Sequence, residues 1–140
     1  MATLCAGLFA GAAIYITFVE HPARLECGTE LAATEFGPSY RRAALMQASL
    51  AVIGLATALV AWGQGRGGLV LLGGLFLGGV VPFTLLVILP TNKRLLDPGL
   101  DRGSAEAAAL LARWGQLHAV RSALGALAFG MLVWDLVGQS

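Results

Sequence analysis

The segment Gly67–Thr91, GGLVLLGGLFLGGVVPFTLLVILPT, decides the fold, because it contains no charged residue. A helix needs about 20 predominantly apolar residues to cross the hydrocarbon core of a bilayer. This segment is long enough, and it therefore predicts a transmembrane helix.

The remaining sequence contains three more apolar runs of this kind. The chain is 57% hydrophobic and only 12% charged, whereas soluble domains carry roughly 25% charged residues. The sequence therefore predicts a single all-α domain over residues 1–140, an integral membrane four-helix bundle that is multi-pass in the cell (inner) membrane. With a net charge of +1 and no basic stripe, we expect membrane lipid around it and no nucleic acid partner. The predicted helices cover about residues 2–21, 41–63, 67–92 and 105–137.

The distribution of Lys and Arg predicts the orientation of the bundle. Of the Lys and Arg residues, only Arg66 lies near the N-terminus, the C-terminus or the turn after the second helix. Because cytoplasmic loops carry an excess of Lys and Arg, we expect both polar connections in the cytoplasm and the N- and C-termini on the non-cytoplasmic side. The basic residues of those connections are Arg24, Arg41, Arg42, Lys93, Arg94, Arg102 and Arg113.

Prolines and glycines predict local features of the helices. Pro22 disfavours helical backbone at the residue before it, so the first helix should end or bend at Glu20–His21. The mildly acidic stretch 26–39 should be solvated surface, a short interfacial helix or a lid. Glycines four residues apart, as in Gly74 and Gly78, are typical of closely packed membrane helices, and such faces are compatible with a homodimer.

Polar and aromatic residues gather at the predicted cytoplasmic end. In the fourth helix, Trp114, His118 and Arg121 stand at i, i+4 and i+7, and hence on one face. A ring, an imidazole and a guanidinium on one face suit a planar, partly anionic ligand. Alternatively, Trp114 is an interfacial residue and Arg121 an anchor. The other polar candidates at this end are Glu20, His21, Tyr40, Gln47 and Asn92.

Three chemistries remain open for these side chains. Glu20, His21 and His118 match the ligand set of non-haem iron sites, and imidazoles also suit copper, although the spacing forms no metal motif. Alternatively, the histidines transfer protons near neutrality while Arg121, Lys93 or Arg94 stabilises a phenolate or enolate oxygen. The third possibility is a salt-bridged cap in which Glu20 pairs with Arg121 or Arg41.

Four short motifs, in order, resemble the anthrone oxygenase-like family of small four-helix membrane proteins. They are Phe18–Pro22, Tyr40–Arg42, Leu89–Leu95 and Trp114–Arg121. The resemblance extends over nearly the whole chain. It implies an enzyme that oxidises an anthrone-like molecule to a quinone with molecular oxygen.

The resemblance also implies roles for individual residues. It places the polar motif of the family on His21, Asn92, His118 and Arg121, with Glu20 beside the first. The catalytic candidates are His21, His118 and Glu20, for proton transfer or metal ligation. The expected partner is a lipophilic, phenolic or quinone-like substrate, and its candidate binding residues are Asn92, Arg121, Trp114 and Tyr40. The alternatives are a non-catalytic metal-, haem- or quinone-binding membrane protein and a structural or assembly subunit.

Overall fold

The computed structural model describes residues 1–138, which fold into four long helices. They are α1 (Ala2–Glu26), α2 (Thr29–Gly63), α3 (Gly68–Leu95) and α4 (Ala105–Val137). Each is long and apolar enough to cross a membrane. The chain is a multi-pass membrane protein, and the predicted all-α four-helix bundle is confirmed.

The helices form a ring in which each packs on its neighbours in sequence and α4 closes onto α1. The start of α1 and the end of α4 lie at one end together with the α2–α3 turn, where Arg66 pairs with Asp135 at 3.3 Å. The α1–α2 and α3–α4 connections lie at the opposite end, which we call the polar end. The predicted cytoplasmic location of the polar end stays a prediction.

Close backbone approach explains the glycines of α3. A Cβ atom at Gly78 would lie 2.5 Å from a side-chain carbon of Leu55 on α2. Gly74 is equally close to Ala58, which also lies on α2. The predicted use of small residues for helix packing is therefore confirmed between α2 and α3, whereas the homodimer stays a prediction.

One π-helical turn interrupts each of α1 and α3. These turns cover Ile16–Glu20 and Thr84–Ile88, and Pro22 and Pro90 follow them closely. Proline lacks an N–H group and its ring clashes with the carbonyl four residues earlier. The wider turn accommodates this clash, so both helices continue past their prolines.

Two predicted boundaries at the polar end were wrong. Helix α1 does not end at Glu20–His21 but continues to Glu26, because the π turn accommodates Pro22. Helix α2 begins at Thr29 rather than near residue 41, so the stretch 26–39 is mostly the first part of a membrane helix. The extension buries an apolar stripe against the end of the bundle, and Ala32, Ala33 and Phe36 form that stripe.

Candidate functional site

Trp114 is the aromatic centre of the polar end. Its ring centroid lies 5.1 Å from that of His21 and 4.7 Å from that of His118. Phe36 from α2 contacts it edge-on at 5.3 Å. Trp114, His118 and Arg121 are all buried, which confirms their predicted common face. The alternative that Trp114 is an exposed interfacial residue is wrong.

His21 reaches α4 because that helix has no side chain at Gly115. A Cβ atom at Gly115 would lie only 2.5 Å from Nε2 of His21. The backbone of Leu111, one turn earlier, is within hydrogen-bonding reach of the same ring. Among residues 1–138, His21 Nδ1 is buried without a hydrogen-bond partner. The bare backbone of α4 thus seats the His21 ring beside Trp114.

Two hydroxyl groups orient the His118 ring. Nδ1 of His118 lies 3.1 Å from Thr17 Oγ1 and 3.4 Å from Ser122 Oγ. Thr17 donates its own proton to the Ala13 carbonyl at 3.0 Å, and Ser122 reaches the same carbonyl at 3.0 Å. Thr17 Oγ1 also lies 2.8 Å from Ser122 Oγ. When the Thr17 hydroxyl donates to the Ala13 carbonyl, its oxygen accepts from Nδ1–H. This arrangement assigns the proton to Nδ1 and leaves Nε2 as the basic nitrogen.

Arg24 fastens α1 to α2 above Trp114. Its guanidinium pairs with Glu20 one turn earlier and lies 2.6 Å from a carboxylate oxygen of Glu35. Ser39 donates to Glu20 at 2.6 Å. The guanidinium carbon also lies 5.8 Å from the centroid of the Trp114 ring. We call Glu20, Arg24, Glu35 and Ser39 the Arg24 clamp.

The contacts of the Arg24 clamp test two hypotheses drawn from the sequence, the metal site and the salt-bridged cap. Glu20 pairs with Arg24, so the pairing with Arg121 or Arg41 was wrong. In the part of the chain that the structure describes, no group of three His, Cys, Asp or Glu side chains is placed to hold a metal ion. The donor set of Glu20, His21 and His118 therefore does not fit iron or copper in this arrangement.

A cavity of about 20 Å³ lies at the centre of the polar end. That volume holds about one water molecule. Every helix contributes to the lining. Its polar and aromatic members are Arg24, Phe36, Ser39, Tyr40, Gln47, Asn92, Trp114, His118 and Arg121.

Apart from Arg24, whose Nε lies 2.6 Å from the Glu35 carboxylate, three of these lining side chains carry buried polar atoms without hydrogen-bond partners among the described residues. These atoms are Gln47 Nε2, both amide atoms of Asn92, and Arg121 Nε. The Arg121 guanidinium packs 5.3 Å from the ring centroid of Phe9. A buried donor without an acceptor costs about 1–3 kcal/mol, so three such groups facing one cavity indicate a site for an acceptor oxygen.

An ion-pair network holds α3 against α4 beside this site. Arg94 lies 2.7 Å from Glu106 and 2.6 Å from Asp97. The backbone N–H of Gly99 and the Arg94 guanidinium lower the pKa of Asp97, so it stays ionised at neutral pH. This network fixes the end of α3 that carries Asn92.

The structure brings together most of the residues predicted from the sequence. Tyr40, Asn92, Trp114, His118 and Arg121 line one cavity. His21 stands behind Trp114, and Glu20 belongs to the Arg24 clamp. Sequence reasoning gave no role to Thr17, Arg24 or Ser122. Helical spacing was the signal for Arg24 and Ser122, which lie four residues from Glu20 and His118, respectively. Thr17 contacts His118 from another helix, so no spacing in the sequence shows its role.

A small four-helix membrane protein with a buried histidine, amide and arginine site at one end is the class that this fold and site define. The chain matches the sequence profile of the Anthrone oxygenase family over residues 36–131, and it belongs to that family. The matched region contains Asn92, Trp114, His118 and Arg121 but not His21. No curated protein and no solved structure matches the chain.

Proposed function

We propose that the protein is an oxygen-using oxidoreductase of the anthrone oxygenase type, acting on a lipophilic, phenolic or quinone-like molecule at the polar end. One observation carries the proposal. Unpartnered polar atoms of Asn92 and Arg121 face the same small cavity as His118. Membership of the family supplies the class of reaction.

The two unpartnered side chains suit the oxygen of an anthrone. An anthrone carries a CH2 group opposite a ring carbonyl, and removal of one CH2 proton places negative charge on that carbonyl oxygen. Asn92 and Arg121 would donate hydrogen bonds to the oxygen as this charge develops. The Asn92 amide oxygen remains as an acceptor for a neighbouring phenolic O–H group.

His118 is the base in this proposal. Because Thr17 binds Nδ1–H at 3.1 Å, Nε2 carries the lone pair that accepts the substrate proton. The enol tautomer of an anthrone carries this proton on the oxygen that Asn92 and Arg121 hold, and its removal there gives the same anion as loss of a CH2 proton. Trp114 stacks on the His118 ring at 4.7 Å between centroids, and His21 contacts the same indole at 5.1 Å, so both rings hold the base in position. Arg24 and Ser39 of the Arg24 clamp line the cavity at the polar end.

The reaction balances without an external reductant. The substrate anion reacts with dioxygen, and return of the proton gives a hydroperoxide at the former CH2 carbon. Loss of water from this hydroperoxide breaks the O–O bond and the remaining C–H bond and leaves a carbonyl group. In sum, CH2 and O2 become C=O and H2O, so the carbon is oxidised and both oxygen atoms are reduced.

Oxygen uptake by the detergent-purified protein with 9-anthrone tests the proposal. We expect the formation of anthraquinone, followed by its absorbance, to match O2 consumption mole for mole without free peroxide. Anthrone in detergent without protein gives the rate of spontaneous oxidation. Uptake no faster than that rate would contradict the proposal.

The variant Gly115→Ala tests whether the position of His21 matters to the reaction while α4 stays folded. The new methyl group would meet His21 Nε2 at 2.5 Å and push the ring away from Trp114. We expect the oxidation rate to fall by up to about a hundredfold, the effect of a small misplacement at a reacting site. The melting temperature should fall only slightly, because the gain of about 0.8–1 kcal/mol for Ala over Gly in a helix offsets part of the overpacking cost of about 1–3 kcal/mol.

Gly130→Ala is the matched control, since Gly130 also lies in α4 but has no neighbour within 4 Å of its added Cβ atom. It should gain the same helix stability and keep full activity. Normal activity in Gly115→Ala would show that the position of His21 does not matter to the reaction.

A further inference from the structure

Two openings flank the central cavity, which is itself too small for a ring system. One is a groove of about 600 Å³ between α1 and α2, and the other is a cleft of about 140 Å³ between α2 and α3. We call them the α1–α2 groove and the α2–α3 cleft. A flat ligand whose oxygen reaches the cavity must place its rings in one of them.

The polar groups of the α2–α3 cleft match an acceptor oxygen. Gln47 and Arg121 line both the cleft and the central cavity. Gln47 is 1% exposed and its Nε2 atom has no hydrogen-bond partner among the described residues. Nothing in the proposed chemistry above uses Gln47. The inner end of the cleft therefore carries two buried donors, the Gln47 amide and the Arg121 guanidinium, that can form hydrogen bonds to the oxygen of a ligand.

The walls of the same cleft are apolar and belong to membrane-spanning segments. Ala48 of α2 and Leu85 of α3 stand at its exposed mouth, with Val80 and Val81 deeper. Leu85 lies in the π turn Thr84–Ile88, and such turns are frequent at functional sites. The walls suit a hydrocarbon ring that arrives from the lipid.

The α1–α2 groove lacks the buried donors of the cleft, because neither Gln47 nor Arg121 lines it. Its charged lining consists of the carboxylates of Glu20 and Glu35, which already pair with Arg24, and the exposed guanidinium of Arg42. An oxygen entering from this side would meet no buried donor in need of an acceptor.

We propose that the ligand reaches the site from the bilayer through the α2–α3 cleft, and that Gln47 is a specificity-determining residue that donates a hydrogen bond to its carbonyl oxygen. This inference rests on the proposed function for the chemical class of the ligand. The rings lie between α2 and α3, partly against acyl chains, and the oxygen lies among Gln47, Asn92 and Arg121.

The test uses two probes of nearly the same shape, 9,10-anthraquinone and anthracene, with the full chain in lipid nanodiscs. Ala48→Leu fills the mouth of the cleft, and we expect it to weaken binding of both probes about tenfold, as overfilling an occupied site does. Ala12→Leu in the α1–α2 groove is the matched control and should change binding less than about twofold. If the Ala48→Leu variant does not fold, Leu85→Trp on the opposite wall is a second way to fill the mouth of the cleft.

Gln47→Leu tests the hydrogen bond separately. We expect it to weaken anthraquinone binding about tenfold, the effect of losing one buried hydrogen bond, and to leave anthracene binding unchanged. Equal weakening of the two probes would overturn the role of Gln47. Weakening by Ala12→Leu but not by the cleft variants would overturn the route.

Turnover measured on the same samples distinguishes this inference from the proposed function. Anthrone oxidation that responds only to Ala12→Leu would overturn the cleft and leave the oxidase standing. Probe binding that responds to the cleft variants, without any turnover, would overturn the oxidase and keep the cleft. A wild-type protein that neither binds nor oxidises would overturn both.

Discussion

His118→Ala is expected to lower the rate of anthrone oxidation by about 10²–10⁴-fold, the usual contribution of a positioned general base. The side chain lines the central cavity, and Thr17 holds its Nδ1 atom at 3.1 Å. Among the described residues that line the cavity, His118 is the only histidine, so without its imidazole the site loses the base that takes the substrate proton. Oxygen uptake with 9-anthrone measures the loss.

Two controls make this result specific to proton transfer. His118→Ala should still bind anthraquinone, because the donors of Gln47, Asn92 and Arg121 remain. Added imidazole should restore part of the rate, since the cavity left by the side chain can accept it. A variant that loses binding and melting temperature together, with no rescue by imidazole, would show that His118 is only a packing residue.

The variant Thr17→Val tests the contact between the Thr17 hydroxyl and Nδ1 of His118. Valine keeps the volume of threonine but removes the hydroxyl that accepts from Nδ1–H, so either ring nitrogen can then carry the proton. We expect a smaller loss than in His118→Ala. An unchanged rate would mean that the Thr17 contact does not select the reactive form of the ring.

The bundle was predictable from the sequence because its evidence is local. The run Gly67–Thr91 has no charge over a membrane thickness, and the predicted bounds of α4 agree with the structure. The end of α1 was mispredicted because Pro22 favours a helix end, whereas the π turn before it lets the helix continue. The start of α2 was mispredicted because Pro38 lies inside that helix instead of preceding it.

The site was predictable where helical periodicity applies and not where contacts cross the bundle. Trp114, His118 and Arg121 follow from their spacing on one helix. The seat of His21 on Gly115 joins residues that are far apart in sequence, so spacing could not show it. The metal hypothesis rested on residue types alone, and Glu20 turned out to pair with Arg24.

Arg121→Met is expected to lower the rate of oxidation by about 10²–10³-fold, the effect of removing one donor to a developing oxyanion. The guanidinium lines the cavity and contacts the Phe9 ring, and its Nε atom has no partner among the described residues. Asn92→Leu should have a similar effect for the same reason. Both variants should oxidise slowly while His118 and Trp114 remain in place.

The same substitution should raise the melting temperature, and this second effect identifies the role of Arg121. A buried cation without a carboxylate partner destabilises the folded chain, whereas methionine fills a similar volume at no electrostatic cost. None of the ion pairs in residues 1–138 involves Arg121. If Arg121 instead stitched helices together, Arg121→Met would lower the melting temperature. If the Arg121→Met variant is slower but more stable than the wild type, the Arg121 guanidinium serves the oxygen of the ligand at a cost to stability.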